Sequence, residues 1–117
     1  MDDEEELVSA IGERLDLRGF RTTGVTSGAA ALDYLAENTC DVVLLDVKMP
    51  GLSGLDVLQK IKEEHPGIGV LMLTGHGSKR DAEEGVRLGA YDYLVKPVSI
   101  GVLCQMLQQA GAGPADQ

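Results

Sequence analysis

Cys40-Asp41-Val42-Val43-Leu44-Leu45-Asp46-Val47-Lys48-Met49-Pro50-Gly51 is the stretch whose pattern decides the fold. Four apolar residues, Val42 to Leu45, run straight into an acidic one, and a Met-Pro-Gly turn follows at once. A short continuous apolar run bounded by turn residues reads as a strand buried on both faces, as in a parallel sheet. Asp46 then sits at the C-terminal end of that strand, the edge at which open α/β sheets bind ligands. A carboxylate there can act as nucleophile, metal ligand or general base. The plainer alternative is an aspartate that caps the following turn.

On either side of this strand the pattern alternates between helix and strand. Leu7, Ile11 and Leu15 recur four apart, with Glu13, Arg14 and Arg18 between them, which predicts a helix from about Glu5 that ends at Gly19. Phe20 to Val25 alternates weakly and carries two threonines, so a short strand is expected there. Thr26-Ser27-Gly28 offers an N-cap for an alanine-rich helix, Ala29 to Glu37, with Leu32 and Leu35 inward and Asn38 closing it. After the central strand, Pro50, Gly51 and Gly54 mark a loop. A helix with Leu55, Leu58 and Ile61 on one face runs on to about Glu64, where His65-Pro66-Gly67 stops it.

Ile68 to Leu73 is a second apolar run and leads into Thr74-Gly75-His76-Gly77. Ser78 caps a helix to about Leu88, and Gly89 ends it. Ala90 to Val95 is the last strand, followed by Lys96-Pro97. Val102, Leu103, Met106, Leu107 and Ala110 make a closing amphipathic helix from Ser99. Strict alternation with short connections predicts an α/β fold, a doubly wound parallel sheet with helices on both faces. Residues 1–110 read as one domain and 111–117 as a flexible tail or the start of a linker.

Composition narrows the function. Over 117 residues there is one Phe, three Tyr and no Trp, so the core is aliphatic. The formal net charge of −9 argues against nucleic-acid binding by this segment and against an anionic membrane surface, and is compatible with a bound cation. Cys40 and Cys104 fit no metal-ligand spacing and read as small hydrophobes, consistent with a cytoplasmic location. The sequence has no signal peptide and no apolar run of membrane-spanning length.

Chemistry-bearing groups fall on successive strand ends. Asp46 ends one strand, Thr74 the next and Lys96 the last, while Asp2 and Asp3 precede the first helix, where a strand would normally end. In a parallel sheet these positions share one edge, so three carboxylates, a hydroxyl and an ammonium converge. Singly, each has an ordinary reading: Thr74 as a loop hydrogen-bonder, Lys96 as a solvated charge, and the acidic pair as a helix-dipole complement. Together they make a phosphoryl-transfer site. Clustered carboxylates call for a hard cation such as Mg²⁺, one carboxylate attacks, and Lys96 with Thr74 holds the phosphoryl oxygens.

These residues carry a resemblance. Asp2-Asp3, Leu44-Leu45-Asp46-Val47-Lys48-Met49-Pro50-Gly51, Leu73-Thr74-Gly75-His76-Gly77 and Ala90-Tyr91-Asp92-Tyr93-Leu94-Val95-Lys96-Pro97 resemble, in order and spacing, the motifs of the receiver domain of bacterial two-component response regulators, over residues 2 to about 110. The resemblance implies a flavodoxin-like fold with Asp46 as phospho-acceptor. It implies Mg²⁺ held by Asp2, Asp3, Asp46 and the backbone carbonyl of Lys48. Thr74 becomes the switch hydroxyl and Tyr93 the aromatic switch. Lys96 becomes the phosphate partner, with a cis bond to Pro97. His76 stands where the family tunes phosphoryl lifetime, and a surface histidine is the plainer reading. The implied partners are a sensor histidine kinase and an output domain or effector protein. The chain is then no conventional enzyme, although it catalyses its own phosphorylation and dephosphorylation. The Gly-His-Gly-Ser turn and the Tyr-Asp-Tyr-Leu-Val-Lys-Pro segment resemble most the receivers of the nitrogen-regulation type.

One departure stands out. Receivers lead into the acidic pair through an apolar strand that is central in the sheet, and here only Met1 precedes Asp2. Loss of several buried Val or Ile residues, each worth about 1.5–3 kcal/mol, would approach a small domain's whole stability of about 5–15 kcal/mol. The expectation is a sheet without its first central strand, with a homodimer or strand-swapped dimer as one way to fill the gap. The alternative function is a phosphorylation-independent protein-binding module. A carboxylate-nucleophile phosphatase wants a second Asp where this chain has Lys48, and no phosphate-binding Gly-x-x-x-x-Gly-Lys-Ser/Thr loop is present.

Overall fold

The computed structural model describes residues 5–46, 53–75 and 79–111. Within them the order is α1 (Glu5–Asp16), α2 (Gly28–Glu37), β1 (Val42–Asp46), α3 (Gly54–Glu64), β2 (Gly69–Thr74), α4 (Lys79–Arg87), β3 (Asp92–Val95) and α5 (Ile100–Ala110). The three strands form one parallel sheet in the order β1-β2-β3. This is the expected α/β architecture with helices on both faces.

The strand period of two splits the core into two layers. On one face Leu45, Val70 and Met72 pack with Leu35 of α2, with Val57, Leu58 and Ile61 of α3 and with Ala82 of α4. On the other, Leu71 meets Leu15 of α1, Phe20, and Leu103 and Leu107 of α5, with Val42 and Leu44 beside them. Each strand therefore needs apolar residues on both sides, which is why Val42–Leu45 and Val70–Leu73 are unbroken apolar runs. Cys40 joins the first layer and Cys104 the second, both half-buried free thiols.

Helix ends follow local chemistry. The Ser27 hydroxyl accepts the Ala30 N–H at 3.1 Å, and the N–H of Asn38 returns to the Tyr34 carbonyl, as the sequence predicts. Ser53 caps α3 through Asp56 N–H at 3.2 Å. Gly89 ends the turn after α4 at φ +120°, a conformation that side-chain-bearing residues rarely adopt. The Ser78 cap falls outside the described residues. In α5 the Ser99 side chain makes no cap bond, and Val102, expected inward, is 47% exposed. The helix turns Leu103 and Leu107 to the sheet, and Val102 lies on the outer side of that stripe.

The expected strand at Phe20–Val25 is not one: this segment is irregular. Apart from Phe20, whose N–H returns to Leu15, no residue from Arg21 to Thr26 has a backbone partner among the described residues. A strand exists only through a ladder, and the described sheet ends at β1. The last strand is likewise shorter than expected, beginning at Asp92 instead of Ala90.

Candidate functional site

The sheet puts the reactive groups at one edge by register alone. β1 ends on Asp46, which lies opposite Leu73, one residue short of Thr74 at the end of β2. Thr74 lies opposite Val95, the last residue of β3, so Lys96 emerges just beyond the sheet. The N–H of Lys96 donates to the Thr74 carbonyl at 2.8 Å, extending the ladder one residue and fixing the start of the Lys96 side chain.

Two of the predicted residues meet directly. Lys96 Nζ lies 2.9 Å from Asp46 Oδ2, a charge-assisted hydrogen bond between residues fifty apart in sequence. Asp46 is only 6% exposed. A carboxylate so far out of water stays ionised only with paired charge or donors around it, and the lysine ammonium supplies one. The Lys96 side chain is 28% exposed, so the pair stands at the boundary between core and solvent. The Lys96–Pro97 bond is cis, as the sequence resemblance implied.

Thr74 is fully buried, and its hydroxyl donates to the Gly75 carbonyl at 3.0 Å. Its side chain is thus held by a local bond that a rotation about χ1 would exchange for another acceptor. Tyr93 is half-buried against the layer built by α2, α3 and α4, and its N–H donates to Asp92 Oδ1 at 2.7 Å. Asp2, Asp3, Lys48 and His76 lie outside the described residues, so their placement in the site stands as read from sequence. Among the described residues no group of three or more His, Cys, Asp or Glu comes together.

Ser53, not among the residues singled out from the sequence, fixes through its cap where α3 begins. The signal was present: Ser53 and Asp56 have the spacing of a capping box ahead of an apolar stripe. What the arrangement offers chemically is a buried carboxylate oxygen at a sheet edge, a cation on it, and a hydroxyl on the neighbouring strand.

Comparison with known proteins agrees with this layout. The family model described as the response regulator receiver domain matches residues 1–108. Among curated relatives, the transcriptional regulatory protein TcrX of Mycobacterium tuberculosis is 39% identical over 100 residues, covering 86% of this chain and 43% of TcrX. The DNA-binding transcriptional regulator NtrC of Escherichia coli is 34% identical over 110 residues, covering 94% of this chain and 24% of NtrC. The chain thus spans less than half the length of either relative. Among solved structures, the receiver domain of NtrX from Brucella abortus superposes with a TM-score of 0.89 at 32% identity, covering 93% of this chain and 92% of that one. A response regulator receiver domain from Clostridium thermocellum gives 0.89 at 36% identity, covering 93% and 88%.

Proposed function

This chain belongs to the response regulator receiver domain family, and on that footing we propose that it is a phosphoryl-accepting switch in a two-component pathway. One observation carries the reading: the buried Asp46 carboxylate at the C-terminal end of β1, with Lys96 Nζ 2.9 Å from it. An Asp46 oxygen attacks the phosphorus of a phosphohistidine on a sensor kinase. The P–N bond breaks, the imidazole keeps the electron pair, and an acyl phosphate forms on Asp46. Lys96 then shifts its hydrogen bond from the carboxylate to a phosphoryl oxygen, and the Thr74 hydroxyl turns from the Gly75 carbonyl to another. Tyr93, on the strand beside Thr74, follows the change inward and alters the face made by α4, β3 and α5, which meets an output domain or effector.

The donor set fits a hard cation. Asp46 offers a carboxylate oxygen at the edge that would ligate the ion, and Asp2, Asp3 and the Lys48 carbonyl would complete an all-oxygen set of the kind Mg²⁺ takes with water. When bound, Mg²⁺ neutralises the charge of the incoming phosphoryl group. Residues 1–110 form the receiver unit in this reading, with 111–117 as a flexible tail or the start of a linker. The setting is cytoplasmic; none of the described helices is long and apolar enough to cross a membrane.

A second reading has its own support. The segment Arg21–Thr26, which has no backbone partner among the described residues, is the observation that favours a receiver that binds partners without phosphorylation. Beryllofluoride with Mg²⁺ separates the two. The switch predicts saturable, Mg²⁺-dependent binding that Asp46→Asn abolishes. A folded sample that binds none is the inert module.

A further inference from the structure

We propose that the C-terminal end of α1, with the turn behind it, is a docking patch for a short acidic segment of a partner polypeptide that carries apolar residues among its carboxylates. The patch is Arg14, Leu17, Arg18 and Arg21, and it acts independently of phosphorylation at Asp46.

Charge sets this patch apart from the rest of the chain. Lys and Arg number 10 against 19 Asp and Glu, yet residues 14–21 hold three arginines and one acid, Asp16. All three arginines are exposed. None of them forms an ion pair among the described residues. Arg14, Leu17 and Arg18 recur at i, i+3 and i+4, so they share one stripe. Arg18 Nη1 donates to the Arg14 carbonyl at 3.3 Å, which draws its guanidinium back along the last turn of α1. The nearby acids are engaged elsewhere. The Asp16 carboxylate accepts the Thr22 hydroxyl at 2.8 Å, and Glu13 and Asp16 line the groove that α1 makes with residues 24–26.

A helix dipole accounts for one cation at this end. It does not account for a second four residues on, which repels the first, or for a third beyond the turn. Nor does it account for Leu17, 85% exposed in their midst. A lone exposed leucine is ordinary on a protein surface. One set among three guanidinium groups that lack an acidic partner combines the apolar contact and the arginines in which interfaces are rich.

The same groups select the occupant. A guanidinium fork matches a carboxylate, two N–H groups to two oxygens, so the occupant is anionic. The net charge of −9 repels an extended polyanion. A short segment feels chiefly the patch itself, because charges beyond about 8 Å are screened at physiological salt. A phosphate backbone offers no apolar group to cover Leu17, and an anionic bilayer would face the negative charge of the rest of the chain. An acidic peptide with leucine-like residues meets both demands.

The probe is a capped octapeptide, Asp-Glu-Leu-Glu-Glu-Leu-Asp-Glu, titrated into the ¹⁵N-labelled full chain at physiological salt. Saturable amide shifts are expected at residues 14–21. The double variant R14Q/R18Q is expected to weaken binding at least fivefold, and so is 0.5 M salt. R21Q, which lies outside the helix, is expected to weaken it at least twofold. A peptide with serine in place of both leucines is expected to bind at least threefold more weakly, a comparison that needs no variant of the chain. No shift at residues 14–21 up to about 5 mM peptide, or equal binding of the serine peptide, overturns the proposal. Tighter binding to a DNA duplex or to phosphatidylserine vesicles than to the octapeptide overturns it as well. So do shifts at residues 14–21 that grow with protein concentration alone, which assign the patch to a second copy.

Discussion

Breaking the Asp46–Lys96 contact gives the most quantitative test of the site geometry. At 2.9 Å, two unit charges in an effective dielectric of 20 attract by about 6 kcal/mol, and in bulk water by about 1.4 kcal/mol. Desolvation of the carboxylate offsets part of the larger figure, and the 28% exposure of the Lys96 side chain brings water to the pair. A net coupling of about 1–3 kcal/mol results. The measurement is a double-mutant cycle in urea, with Lys96→Met, Asp46→Asn and the double variant. Lys96→Met is expected to cost that much more in the parent chain than in the Asp46→Asn background. In 0.5 M salt the coupling should keep most of its value, because a largely buried pair is weakly screened. A coupling below about 0.5 kcal/mol, the size of an exposed ion pair, would mean that Asp46 and Lys96 are not held as a buried pair.

Two further outcomes test the packing. A Cβ on Gly69 would collide with the Ala110 carbonyl oxygen at the end of α5, whereas one on Gly67 meets nothing within 4 Å. Gly69→Ala should therefore destabilise by about 1–3 kcal/mol and Gly67→Ala by less than about 0.5 kcal/mol, read from urea midpoints. Burial chiefly, and the charge of Asp41 next, push the Cys40 thiol above its ordinary value of 9.0. The folded state favours the neutral thiol, so this stabilisation is complete below that value and is lost as pH rises through the folded pKa. Cys40→Ser should flatten the alkaline decline in stability, and at pH 8 Cys40 should react with iodoacetamide more slowly than a free thiol does.

Much of this was legible in residues. Val42–Leu45 and Val70–Leu73 had to be covered on both faces, and the two core layers show that they are. The convergence of Asp46 and Lys96 followed from parallel strand ends, because register carries fifty residues of separation into a 2.9 Å contact. The sequence misled at Phe20–Val25, where alternation and two threonines described a strand. Strand formation depends on a neighbour, and local propensity does not supply one. Val102 was misplaced for a smaller reason: a stripe of five apolar positions was wider than the face α5 turns to the sheet. The likeness to nitrogen-regulation receivers met NtrC and NtrX among the matches, yet TcrX matches as well, so the motifs describe the family better than a subtype.

Phosphoryl transfer itself is the most direct test. The intact chain, incubated with acetyl phosphate and Mg²⁺, is followed by mass spectrometry and peptide mapping. A single phosphoryl increment is expected on the peptide containing Asp46, labile to hydroxylamine, lost on chelation of Mg²⁺ and absent from Asp46→Asn. A folded chain that gains no phosphoryl group, or gains one that survives Asp46→Asn, would contradict phosphoryl acceptance at Asp46.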